Sequence, residues 1–225
     1  MYTEKLQDEN NRSDEWVARS NFYLLISSLF AEPGSERFRM LSDVSFRSRL
    51  ITAAEKYPGG HAPGIRRIFS LVDGAGKNIA DEYIRVFGHT LSKETSPYEL
   101  ERGGDEVFRK TQELADINAF YTAFGLEMKE KERPDHLSVE SEFIAFLLLK
   151  EAVAVENHLD DDARGVCTDA RCNFWKDHYS PWIFGFLDSL ERYAPQSSYA
   201  SFAAPVREFL NDEKHLCLMP QASGI

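Results

Sequence analysis

The stretch Glu130-Lys131-Glu132-Arg133-Pro134-Asp135-His136-Leu137-Ser138-Val139-Glu140-Ser141-Glu142-Phe143-Ile144-Ala145-Phe146-Leu147-Leu148-Leu149 decides how the chain is read. A charged run gives way to a proline, an acid and a histidine, and then to the most apolar run in the protein. Proline biases the residue before it away from helix, and Asp135 can accept a hydrogen bond from the free amides of a following turn, so a helix is expected to start here with Asp135 as its cap. From Phe143 to Leu149 every residue is apolar, which fits a helix enclosed on all sides better than an amphipathic surface helix. The Asp135-His136 pair is thereby set at the mouth of a central rod that runs from Leu137 to about His158.

Working outward, the chain reads as helices throughout. Residues 1 to 13 are polar and without periodicity and are expected to be disordered. Ser13 or Asp14 then caps a helix carrying Val17, Phe22, Leu24, Leu25 and Leu29, which Pro33-Gly34 stops. Shorter helices are expected around Glu36 to Leu41 and Phe46 to Tyr57, followed by a loop over Pro58 to Gly64. Ile65, Ile68, Phe69 and Val72 mark the next helix, broken at Gly74-Ala75-Gly76, and Ile79 to Phe87 the one after. From His89 to Gly104 the pattern lapses around Ser96-Pro97-Tyr98-Glu99, an irregular stretch of a length that is often functional in compact domains. Asp105 can cap a helix with Val107, Phe108, Leu114, Ile117, Phe120, Tyr121 and Phe124 on one stripe, closed by Gly125.

Beyond the central rod, Leu159 to Gly165 reads as an acidic linker, extending to about residue 168. Asp169 to His178 looks helical, and Ser180-Pro181 resembles a cap with proline at the first helical position of Trp182 to Tyr193. The last helix carries Tyr199, Phe202, Val206, Phe209 and Leu210, with Pro205 expected to kink or shorten it. Residues 213–225 are expected to form a loose tail. No segment has the alternating, β-branched character of a strand, and no fixed period recurs. The fold class is therefore all-α, a single multi-helix domain over 14–212.

Composition bounds the function. With 43% hydrophobic residues, 16 Phe, 9 Tyr and 3 Trp, 225 residues can build a substantial core. The formal net charge of -11, from 26 basic and 37 acidic residues, argues against nucleic acid or anionic lipid as a partner and favours a basic one. Three cysteines without a C-x-x-C pattern fit a reducing compartment, and the polar, acidic start lacks the features of a secretion signal. The longest apolar run is far short of the ~18 residues of a membrane span. A cytoplasmic protein without stable membrane insertion is expected.

The chain carries few patterns that point to catalysis or metal binding. A di-iron bundle needs Glu-x-x-His pairs, and no glutamate in this chain has a histidine three residues on. Cys167 and Cys172 could join His158 or His178 at a zinc ion, but the spacing is atypical, and partly buried thiols are the simpler reading. Gly74-Ala75-Gly76-Lys77-Asn78 lacks the glycine spacing, the hydroxyl residue and the preceding strand of a phosphate loop. Asp135 and His136 are neighbours on a helix and point in different directions, so they cannot relay protons to each other. A helix cap and a first-turn histidine remain the plain readings of that pair. No catalytic residue, metal or cofactor is assigned.

The residues do resemble one family. Asp135-His136-Leu137-Ser138-Val139-Glu140-Ser141-Glu142-Phe143-Ile144 is similar to the Asp-His-Leu-x-x-Glu-Leu-Glu-Phe-Met signature of the TorD/DmsD/NarJ chaperones of molybdenum-cofactor enzymes. Ser141 stands for the usual Leu and Ile144 for Met. Upstream, Tyr83-x-x-x-Phe87-Gly88 followed by Ser96-Pro97-Tyr98-Glu99 is similar to that family's second motif, with Leu100 where a serine often follows. The likeness spans roughly residues 14 to 210. It implies a non-enzymatic chaperone that binds the twin-arginine signal peptide or N-terminal region of a molybdoenzyme catalytic subunit and holds it for cofactor insertion before export.

Asp135, His136, Glu132 and Glu99 would then supply the polar side of a peptide site that also includes Pro134, with Asp135 the acid for an arginine. Tyr83, Phe87, Gly88, Pro97 and Tyr98 would supply its apolar wall. A nucleotide- or cofactor-binding maturation switch and a general helical adaptor are the rival readings. Members of the family can exchange domains, and the acidic linker is long enough to act as a hinge, which leaves a homodimer open.

Overall fold

A computed structural model describes residues 2–56, 61–76, 78–88, 92–102, 107–128, 132–157 and 161–218, apart from the side chains of 2–10, 92, 161–164 and 218. Their order is α1 (Tyr2–Phe30), α2 (Glu36–Arg39), a 3-10 turn (Met40–Ser42), α3 (Val44–Lys56), α4 (Ala62–Ala75), α5 (Asn78–Phe87) and α6 (Ser92–Thr95). After these come a second 3-10 turn (Glu99–Glu101), α7 (Val107–Ala123), α8 (Leu137–Glu156), α9 (Asp161–Phe174), a π-helical turn (Trp175–Tyr179), α10 (Ser180–Tyr193) and α11 (Ser198–Leu218). Among the described residues the all-α expectation holds, with a single isolated bridge between Tyr98 and His136.

The centre is α8. Leu137, Phe143, Ile144, Ala145, Leu147 and Leu148 are buried, and each enclosed Leu, Ile or Phe contributes ~1.5–3 kcal/mol relative to exposure. α1 lies antiparallel beside it, tied by Ser20 Oγ donating to Ala145 O at 2.8 Å and by Ser13 Oγ donating to Glu156 Oε1 at 3.1 Å. On another side Phe120 and Tyr121 of α7 and Phe174 of α9 meet the Phe143 ring edge to face. Ser141, which stands where the signature has an apolar residue, bonds the buried Tyr179 hydroxyl at 2.9 Å. The enclosure opens most toward the far end, where Leu149 and Val153 are exposed.

Several expectations are corrected. The segment read as disordered is helical from Tyr2, because no glycine or proline interrupts it before Pro33 and each residue added to an already nucleated helix gains a hydrogen bond. The acidic stretch after residue 160 is likewise the first part of α9, and α11 continues to Leu218, through Pro205 and into the segment read as tail; His158 and 219–225 lie outside the described residues. Ser180 is no cap. α9 and α10 form one continuous rod through the π turn, which opens the backbone just ahead of Pro181, where an N–H is missing and a regular turn would clash. Val107 and Phe108 sit on the stripe assigned to the core yet are 73% and 94% exposed; α7 turns inward only from Ile117 and Tyr121. Asp105 lies outside the described residues, and Gly125 closes α7 with φ 72° as expected.

Candidate functional site

Two segments far apart in sequence are stitched together at the start of α8. Glu99 N donates to Asp135 O and Leu137 N donates to Pro97 O, both at 2.9 Å. The bridge sets the Tyr98 and His136 rings edge to face at 4.8 Å. Pro97 suits this register, since it is its carbonyl that the bridge uses and its missing N–H costs nothing there. Arg102 anchors the turn from outside, donating to Ser189 Oγ of α10 at 2.7 Å.

The cap of α8 is His136 and not Asp135. His136 holds extended φ/ψ of -84° and 134°, and its Nδ1 accepts from Ser138 N at 3.1 Å, so the proton of the neutral ring is on Nε2. Asp135 is fully buried and otherwise engaged, accepting from Arg133 Nε and Nη2 at 3.0 and 2.7 Å and from Leu100 N at 3.4 Å. Arg133 in turn lies over the Tyr98 ring, 4.0 Å from its centroid, and reaches Glu101 at 2.6 Å. The acid expected to await a foreign arginine therefore holds a resident one.

Burial, with help from the nearby Arg37 and Arg133 charges, lowers the His136 pKa to about 4. Its unfolded value lies near 6.5, so between those values the unfolded chain binds the extra proton, and stability falls as pH drops from about 6.5 toward 4. The loss amounts to roughly 2 kcal/mol between pH 7 and pH 4.5. His136→Asn keeps a capping acceptor without a titrating ring. Denaturant melts of this variant across pH 7 to 4.5 are expected to lose markedly less stability than the wild type; parallel curves would refute a neutral His136 cap.

Above this floor opens a cavity of about 270 Å³. Tyr83 and Phe87 of α5, whose rings meet at 4.9 Å, form one wall with Pro97, Tyr98 and Val139. The rim is charged. The turn after α1 brings Ala31, Glu32 and Ser35, and Ser35 also caps α2, fixing Arg37. Arg37 donates to Glu132 at 2.8 Å and to Glu142 at 2.7 Å. Burial alone would lower its pKa, and the two carboxylates more than offset that. Glu32 is exposed at the rim and enters no ion pair among the described residues.

Of the expected site residues, Tyr83, Phe87, Pro97, Tyr98, Glu132 and His136 line this cavity. Asp135 lies beneath it, and Pro134 lends its carbonyl to the Tyr121 hydroxyl at 2.8 Å. Gly88 closes α5, where a Cβ would run into the Ile84 carbonyl. Glu99 turns the other way, facing His178 Nδ1 at 3.4 Å, while His178 Nε2 lies 3.1 Å from Asp116. Beside it Glu140 Oε2 accepts from Trp182 Nε1 at 3.1 Å. Glu140 Oε1 and Glu99 Oε2 find no donor if both acids are ionised; one proton between them satisfies both. Burial first, then the Glu99 and Asp135 charges, push the Glu140 pKa well up.

Sequence reasoning missed Glu32, Ser35, Arg37 and Arg133 as rim residues. The first three flank a Pro33-Gly34 turn that reads only as a helix stop; Arg133, two residues before Asp135, was the available signal. Among the described residues no three metal-capable side chains gather. Cys172 meets Cys217, and His178 is engaged as above.

The family model described as nitrate reductase delta subunit matches residues 65–188. The chain is 24% identical over 212 residues to the chlorate reductase assembly chaperone protein of Ideonella dechloratans, covering 91% of this chain and 92% of that protein. It is 34% identical over 99 residues to the selenate reductase assembly chaperone protein of Thauera selenatis, covering 43% and 49% respectively. No solved structure gives a significant match.

Proposed function

The chain belongs to the nitrate reductase delta subunit family, the NarJ/TorD-type assembly chaperones, and is not an enzyme; from that premise we propose that its cavity takes the twin-arginine leader of a molybdoenzyme catalytic subunit in the cytoplasm. The chaperone holds the leader until the molybdenum cofactor is in place. The names of the two relatives point to an oxyanion reductase as the client.

One observation carries this reading: four segments distant in sequence, around Glu32, Tyr83–Phe87, Pro97–Tyr98 and Glu132–His136, converge on a single cavity with an apolar wall and carboxylates at its mouth. A leader of this kind offers arginines followed by an apolar stretch, which such a wall and rim complement. The volume suits one or two side chains, below the range of pockets that enclose whole small ligands. The leader accordingly inserts an anchor and lays its remainder on the surface. Glu32 meets the guanidinium beside the Arg37-held Glu132, while Asp135 acts through Arg133, holding it flat on Tyr98. The net charge of -11 speeds encounter with a basic peptide and makes it salt-sensitive.

Calorimetry with a twin-arginine leader and with the same leader carrying glutamine at both arginines tests the reading. Saturable binding of the first, at least tenfold weaker binding of the second and a loss of affinity with added salt are expected. Equal binding of both peptides, or of neither, overturns it. No helix among the described residues is long and apolar enough to cross a membrane, so the assay needs no lipid.

A further inference from the structure

Away from the cavity, α9 and the last turn of α11 bring two sulfurs together. Cys172 Sγ and Cys217 Sγ are 3.1 Å apart across a sequence separation of 45 residues. Arg171 Nη1 donates to Cys217 Sγ at 3.1 Å, and the guanidinium is itself held by Glu151 through Nε at 2.6 Å. Both cysteines are half-buried, whereas Cys167 is buried and burial raises its pKa. A partly exposed thiol with a second thiol and a fixed cation beside it is the setting in which cysteines react.

We propose that Cys172 and Cys217 are a reactive dithiol, a modification site that small-molecule disulfides oxidise to a bond tying α9 to α11. The hydrogen bond shared with Cys217, opposed by burial and aided by Arg171, lowers the Cys172 pKa to about 7, so Cys172 is the attacking thiolate near neutral pH. It attacks one sulfur of the small disulfide, forms a mixed disulfide and expels the first small thiolate. Cys217 then gives its proton to solvent, attacks the Cys172 sulfur and expels the second. Two electrons pass from the protein thiols to the small disulfide, which leaves as two thiols carrying the two protons. The sulfurs must close to ~2.05 Å. That is a shift of about 1 Å, and Cys217 lies one residue from the end of α11, where a helix yields most readily.

The test equilibrates the full chain in glutathione buffers from reduced to oxidised, quenches with acid, alkylates and maps the peptides. The expected result is one intramolecular bond joining the Cys172 and Cys217 peptides, Cys167 alkylated throughout, and a thermal midpoint raised by roughly 5–15 °C in the oxidised form. Cys217→Ser should stop at a mixed disulfide on Cys172. A bond involving Cys167, no internal bond in the oxidised buffer, or oxidation no faster than in the urea-unfolded chain overturns the assignment. Because the mapping uses wild-type protein, a variant that folds poorly does not blunt the test.

Discussion

Glu32→Lys is expected to weaken leader binding by at least tenfold while shifting the thermal midpoint by no more than about 2 °C. Glu32 lines the cavity, is exposed and enters no ion pair among the described residues, so the fold loses no contact with it. In the complex it is the carboxylate at the mouth that no resident arginine occupies, since Glu132 is held by Arg37 and Asp135 by Arg133. Reversing its sign places a third cation beside Arg37 and Arg133 and repels the incoming guanidinium. Tenfold is about 1.4 kcal/mol, close to the weakest couplings, about 1.5 kcal/mol, of close charge pairs across an interface. Asp135→Asn is the informative companion. It loosens Arg133 from the Tyr98 face, so affinity falls through misplacement of the wall and the salt dependence stays near that of the wild type. A calorimetric affinity unchanged in Glu32→Lys removes the rim carboxylate from the recognition account.

The same residues show what was legible in the sequence. The apolar run of α8 and the helical spacing on either side were enough to set the fold class, because burial on a helix leaves a local trace, while six of the cavity residues came from the family resemblance that the two short motifs carry. The role of Asp135 was not legible. Asp135 and His136 are both able to cap, and which of them does so depends on Arg133, two residues earlier, claiming the aspartate. Glu99 was misplaced for a related reason. Its neighbour Tyr98 faces the cavity while the 3-10 turn swings Glu99 toward His178, and a direction that alternates over one residue cannot be read in an irregular loop. Glu32 and Arg37 reach the site only because α1 ends beside the first turn of α8, a tertiary fact with no local signature. The helical start of α1 escaped notice because polar residues extend a helix that others nucleate.

Glu151→Ala is expected to cost ~3–5 kcal/mol of stability, lowering the thermal midpoint by roughly 10 °C or more for a chain of this size. Glu151 and Arg171 are both buried and bonded in parallel, Nε to Oε1 at 2.6 Å and Nη2 to Oε2 at 3.4 Å, joining α8 to α9. Burial alone would lower the Arg171 pKa, and the Glu151 carboxylate more than reverses that; truncating the acid leaves a buried cation whose guanidinium keeps, among the described residues, its hydrogen bond to the Cys217 sulfur. Glu151→Leu combined with Arg171→Met removes both charges while keeping much of the volume, and buried pairs replaced in this way are often neutral or stabilising. The double variant should therefore melt well above Glu151→Ala, near the wild type. If the single change costs under about 1 kcal/mol, or the double is as damaged as the single, the pair is not the desolvated link described. This end of α8 is far in sequence from the cap at His136, so the folded fraction of Glu151→Ala should bind leader with wild-type affinity per molecule, the converse of Glu32→Lys, and the two variants together separate the chaperone's scaffold from its recognition site.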